Sequence, residues 1–169
     1  GVSLELRNKL TNANLLHYAA MQPEGGADIV KWVILDKKVS SDLLKQQILV
    51  KGKDRDKDTD KDWDRGNGHT VAFEAVFNNN VEVVKALIEI EKQGHKVDFT
   101  TRAVHGQSPL GWALIKNQDK VVNLLVQTLH PHSENIAAWK EKEDSAAKEY
   151  TEEKDADWRS SHPQDAPAF

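Results

Sequence analysis

Three stretches of the chain repeat one helical template, and an internal repeat narrows the possible folds more than any other pattern in the sequence. Asn14-Leu-Leu-His-Tyr-Ala-Ala20, Thr70-Val-Ala-Phe-Glu-Ala-Val76 and Ser108-Pro-Leu-Gly-Trp-Ala-Leu114 each open on a residue suited to capping a helix. Each carries an alanine five positions on, at Ala19, Ala75 and Ala113. A second helical pattern follows each one: Ile29-Val-Lys-Trp-Val-Ile34, Val83-Val-Lys-Ala-Leu-Ile88 and Val121-Val-Asn-Leu-Leu-Val126. A two-helix unit cannot bury its apolar face alone, so such units stack, share one interior and leave an elongated exposed rim. The alanines are small because neighbouring helices must approach closely.

The third unit is the clearest. Ser108 accepts from the free N–H groups of the helix start, and Pro109 at the next position forfeits nothing there. Leu110, Ala113 and Leu114 fall at i, i+3 and i+4, one face of a helix. After Asn117-Gln118 a second helix presents Val122, Leu125, Val126 and Leu129 as one stripe. The second unit aligns position for position: Gly68 with Gly106, Thr70 with Ser108, Val83-Val84 with Val121-Val122. Gly68-His-Thr-Val-Ala-Phe-Glu-Ala-Val76 with Val81-Glu-Val-Val-Lys-Ala-Leu-Ile88 resembles the ankyrin repeat, as does Gly106-Gln-Ser-Pro-Leu-Gly-Trp-Ala-Leu114. In the first unit Leu15-Leu-His-Tyr-Ala-Ala20 is close to the family's proline-leucine-histidine-x-alanine-alanine core.

The resemblance covers roughly residues 10–130, and every repeat departs from it somewhere. Val71 and Leu15 replace proline, Phe73 and Gly111 replace histidine, and Glu74 stands where an apolar residue is usual. Gly68 to Gly106 is 38 residues, against a regular period of roughly 33. The excess is expected in a longer second helix through Glu91-Lys92-Gln93 and in a longer finger from Val97-Asp98 to Gly106. Asn14 to Thr70 is 56 residues, which leaves about 23 inserted relative to that period.

The resemblance implies an all-α, ankyrin-like stack of helix-turn-helix repeats with helical caps: a repeat domain over 1–130 with an insertion at about 36–65, a capping helix or degenerate repeat over 131–155, and a flexible tail over 156–169. It also implies a protein-binding module, a scaffold or adaptor, that holds a partner protein on the concave face and the finger tips. Residues 3–10, with Leu4, Leu6 and Leu10, are candidates for the first cap. By the same carry-over the contacts are Ala13, Met21 and Gln22 in the first unit, and Gly66, Asn67, His69, Phe77 and Asn78 in the second. Those of the third are Val104, His105, Gln107, Ile115 and Lys116. Phe77 and Ile115 are expected to be the apolar anchors. Irregular repeats with an insertion are also compatible with a secreted bacterial effector working in a host cytoplasm, and the short, open ends with the targeting domain of a larger enzyme. A monomer in the cytoplasm is the expectation otherwise.

The insertion divides in two. Ser40-Ser41-Asp42 followed by Leu43, Leu44, Gln47 and Ile48 predicts a short extra helix. Lys51 to Arg65 then alternates six acidic with six basic side chains around a single large apolar group, Trp63, and predicts a solvated loop. Trp63 either tucks onto the stack or anchors the partner. The aspartates there invite a calcium reading, but an EF-hand loop needs glycine at its sixth place and glutamate at its twelfth. Starting at Asp54 those places hold Thr59 and Arg65, and starting at Asp56 or Asp58 they fit no better. From Lys140 to Trp158 eight acidic residues face four basic ones, a solvated helical surface with some appeal for a basic partner.

Other chemistries find no support in the residues. Net charge is −4, where nucleic acid rewards clustered positive charge. There is no cysteine, which excludes disulfides and thiolate metal sites. No apolar run approaches the roughly 20 residues of a membrane span, and the N-terminus carries no signal-peptide pattern. No Gly-x-Ser-x-Gly turn or phosphate-cradling glycine loop is present. Seven histidines include no i, i+4 pair of the kind that binds zinc on a helix. No enzyme activity, metal or cofactor is expected.

Overall fold

In the computed structural model, residues 4, 6–8, 12–48, 68–103, 106–132 and 135–161 are described. Helices α1 (Leu15–Ala20) and α2 (Gly26–Lys31) form the first hairpin, α3 (Val71–Phe77) and α4 (Val81–Lys92) the second, α5 (Pro109–Ile115) and α6 (Asp119–Leu129) the third. A long α7 (Ile136–Ser161) follows. The first helices lie side by side in one layer, α1 on α3 on α5, and the second helices in another, α2 on α4 on α6. Among the described residues there is no strand, only an isolated bridge between Arg7 and Asn14.

Each first helix starts where its cap places it. Asn14 accepts from Leu16 N at 2.9 Å, Thr70 from Phe73 N at 3.2 Å, and Ser108 from Gly111 N at 3.0 Å. In the first unit the cap is reciprocal, because Asn14 N donates to His17 Nδ1 at 3.1 Å. In the second and third units the first helix turns into its second with an asparagine in the left-handed region, Asn79 (φ 50°) and Asn117 (φ 54°), a conformation asparagine adopts more readily than most side chains, and in the first unit Gly25 (φ 77°) takes that conformation. Val30, Val33 and Ile34, Val83, Val84 and Leu87, and Val121, Leu125 and Val126 meet the three alanines in one continuous core.

Units are also stitched by side chains. Asn80 Nδ2 donates to Ala20 O (3.1 Å) and Gln22 O (2.7 Å) of the first unit, and Gln118 Nε2 donates to Val76 O (2.9 Å) of the second. Ala20 and Val76 hold the same place in their repeats, so the stitch is itself repeated.

The start of the insertion folds onto this frame. Its short helix is a tight 3-10 turn, Ser41–Lys45, started by Ser40, which accepts from Asp42 N. Asn14 Nδ2 donates to Leu43 O and His17 Nε2 to Gln46 O, each at 2.9 Å. Ile48 N then donates to His69 O at 2.8 Å and Gly68 N to Ile48 O, so the chain leaves and re-enters the stack at one point. The charged stretch around Trp63 lies between, outside the described residues.

α7 closes the far end of the stack against α5. Trp139 stacks on His130 with centroids 3.6 Å apart, and Ser108 Oγ donates to Glu143 at 2.6 Å. Ala147 packs so near the Gly106 turn that a Cβ at Gly106 would stand 2.6 Å from Ala147 O. The helix runs on to Ser161, six residues into the stretch expected to be tail.

Candidate partner-binding face

The exposed side of the first-helix layer is built from two rows that the repeat brings into register. Tyr18, Glu74 and Trp112 form one row, and Met21, Phe77 and Ile115 the other. Alanines one residue after the first row are buried, and of the row itself Tyr18 is exposed and Trp112 half-buried, while Glu74 is buried. Phe77 stacks on Trp112 of the next unit with centroids 5.0 Å apart and planes at 27°, and Lys116 places its ammonium 4.9 Å from the Trp112 ring. Ile115, beside them, is 40% exposed. The result is an aromatic platform spanning two units, with an aliphatic edge and one cation.

Behind the platform lies a polar group that the regular pattern does not contain. Glu74 is buried, and His69 Nδ1 donates to its Oε2 at 2.8 Å while Asn78 Nδ2 donates to its Oε1 at 3.1 Å. His69, held at its edge by this carboxylate, stacks on the ring of Phe73, whose centroid is 4.3 Å away. A carboxylate in an apolar row is tolerated because both oxygens are bonded. His17 takes the equivalent space in the first unit, bonded at both ring nitrogens. Burial holds its pKa below the ordinary histidine value, although the carbonyls of Gln46 and His69 act against that shift.

These three repeats decide the family. The model for ankyrin repeats (3 copies) matches residues 16–135. The chain belongs to the ankyrin-repeat family. No curated protein and no solved structure matches it. Ankyrin repeats are generally protein-protein interaction modules, which agrees with a built, exposed surface on the first-helix layer. Among the described residues no three His, Cys, Asp or Glu side chains group as metal ligands, and no helix is long and apolar enough to cross a membrane.

The residues that the sequence singled out are distributed unevenly over this ankyrin stack. Phe77, Ile115 and Lys116 come together on the platform. Met21 and Asn78 meet instead around a groove of about 290 Å³ at the hairpin turns, with Gln22 exposed nearby in sequence. His69 is not on the rim: at 1% exposure it belongs to the interior, because Glu74 and the phenylalanine rings draw it inward. Gln107 is half-buried, its carboxamide lying over Gly111 on the side where Glu143 of α7 packs. Ala13 is buried. Trp63, Gly66, Asn67, Val104 and His105 lie outside the described residues. Sequence reasoning passed over Tyr18 and Trp112, yet the register that gave Phe77 and Ile115 also gives them, one turn earlier.

Proposed function

We propose that this chain binds a partner protein on the platform formed by Phe77, Trp112, Ile115 and Lys116, extended toward the hairpin turns by Met21, Gln22 and Asn78. The observation that carries this reading is the Phe77–Trp112 stack beside exposed Ile115. Two rings held against each other lose little rotamer freedom on binding, and an apolar group with a polar surround is the usual composition of an interface centre. Finger-tip positions, Asn67 and His105 among them, would complete the contact, with Trp63 on the charged loop. An adaptor, a scaffold or an effector delivered into a host cell would use the same face. The role is one of holding rather than catalysis.

The test is retention of a partner captured from lysate by the wild-type chain and then identified and purified. Ile115→Ser with Lys116→Glu is expected to weaken the purified complex by about ten-fold or more, the order of one lost interface anchor. The variant should keep the wild-type melting temperature, since both side chains face solvent. Lys85→Glu, on the exposed side of α4, is expected to change nothing. Equal losses in both variants, or no loss in the first, would refute the assignment.

A further inference from the structure

The second-helix layer is covered unevenly along the stack. Ile29, Val83 and Val121 share one register position, and Trp32, Ala86 and Leu124 share another three residues on. In the second unit both positions are closed, Val83 at 0% and Ala86 at 1% exposure. What closes Val83 is the preceding unit: a Cβ on Gly26 would stand 3.3 Å from a Val83 methyl. In the first unit the same positions are open, Ile29 at 38% and Trp32 at 43%. Lys31, between them in sequence, reaches across to Glu89 of α4 at 2.8 Å. Ile29 and Trp32 therefore mark the flank that a neighbouring helix covers elsewhere in this molecule.

The chemistry around them selects among helices. A shallow depression of about 550 Å³ is lined by Asp28, Ile29, Lys31, Trp32 and Asp36. Lys31 is committed to Glu89 and Lys37 lies over the Trp32 ring, 5.3 Å from its centroid, while Asp28 and Asp36 stand four residues before and after Trp32 with no ion pair among the described residues. α2 continues past Lys31 as a π-helical turn, Trp32–Asp36, in which the backbone widens into i to i+5 bonding, Lys37 N donating to Trp32 O at 2.9 Å. A second copy of this chain fits poorly, because antiparallel pairing centred on Trp32 sets Asp28 against Asp36 twice over. A helix with basic residues at those two places meets both carboxylates.

We propose that this flank of α2 is a second docking surface, separate from the platform, and that it takes an amphipathic helix of a partner protein. The apolar stripe of that helix is flanked by lysine or arginine about four residues to either side of its central residue. Trp32 and Ile29 supply the apolar contact, and Asp28 and Asp36 fix register and orientation.

The probe is a labelled helical peptide with a leucine stripe and lysines at the two flanking places, compared by fluorescence anisotropy with a glutamate-flanked twin. The full chain is expected to prefer the lysine peptide by about ten-fold at low salt, with the preference shrinking as salt screens the pairs. Trp32→Ala should weaken that binding, and Asp28→Lys with Asp36→Lys should reverse the preference. Both aspartates are exposed, so the charge reversal leaves the fold intact even if Trp32→Ala does not. Ile115→Ser, on the other surface, should have no effect, which separates failure here from failure of the platform assignment. Equal affinity for both peptides, an unmoved preference on charge reversal, equal loss in Ile115→Ser, or sedimentation showing a dimer that Trp32→Ala abolishes, would each overturn the proposal.

Discussion

Asn80 and Gln118 occupy one position of the repeat and make one kind of bond, yet the structure predicts very different consequences when each is cut to alanine. Asn80→Ala removes the donor from Ala20 O and from Gln22 O, and neither carbonyl takes another hydrogen bond among the described residues. It also deletes a long helix cap, Asn80 Oδ1 to Val83 N at 3.4 Å. Two lost bonds cost about 1 kcal/mol each, and a weak cap about 0.5 to 1, for a total of about 3 kcal/mol. Gln118→Ala removes one donor from Val76 O, but that oxygen keeps Asn79 N at 2.9 Å. The Gln118 Oε1 is buried without a hydrogen-bond partner, so deleting the carboxamide also relieves a desolvation penalty. The net cost should be about 0.5 kcal/mol. Urea unfolding followed by circular dichroism measures both, with the midpoint shift converted through a common m-value. A smaller m-value in Asn80→Ala alone would mean that the first unit has come apart from the rest, as expected of a stack coupled through nearest neighbours. If Gln118→Ala costs as much as Asn80→Ala, the reasoning from residual partners is wrong.

Further expectations follow from other contacts. His17 is held below its ordinary pKa by burial, so the unfolded chain binds more protons than the folded one below about pH 6.5. Its contribution is complete above that pH and is lost as pH falls toward the lowered folded value, at up to about 1.4 kcal/mol per pH unit. His17→Phe, which copies the second unit, should remove that slope from a series of urea titrations between pH 7.5 and 5 while lowering stability at neutral pH. Gly106 has φ +87° and faces Ala147 O, so Gly106→Ala should cost about 1 to 2 kcal/mol in conformation alone. It should also loosen α7, read as faster amide exchange over 139–151 with the three hairpins still protected. Replacing 49–67 by a short glycine-rich turn should leave the melting temperature unchanged or slightly higher, because Ile48 and Gly68 already meet and a shorter loop closes at lower entropy. A marked fall in melting temperature would show that the charged stretch supports the stack.

The parts of the fold that were legible in the sequence are those decided within one turn of helix. Asn14, Thr70 and Ser108 cap their helices because each needs only the N–H groups two or three residues ahead. The extra helix of the insertion was legible for the same reason, though it takes a 3-10 form, with Asn14 bonded to Leu43 O within it and His17 to Gln46 O just after it. The long α7 was only half visible. Its stripe of Trp139, Ala146, Ala147 and Tyr150 gives way after Thr151 to a charged run that only Ala156 and Trp158 interrupt before Ser160.

The candidate face was harder to read because its departures from the repeat compensate one another across space. Glu74 in an apolar row looks like an isolated error, and His69 at a finger base looks like a surface contact. Each is explained only by the other, 2.8 Å away and five residues apart, with Asn78 taking the second oxygen. Phe73 completes the exchange: where the first unit has His17 bonded at both nitrogens, the second has an apolar ring, and the imidazole stands four residues earlier, at His69, and lies on it. Trp112 then meets Phe77 from the next unit. Substituting any one member therefore tests the set. Glu74→Leu, which restores the family's usual residue type, is expected to cost about 1 to 3 kcal/mol rather than to stabilise the stack, because it takes an acceptor from buried His69. Glu74→Gln keeps an acceptor and should cost less, and if Leu proves the more stable of the two, the compensation argued here does not exist.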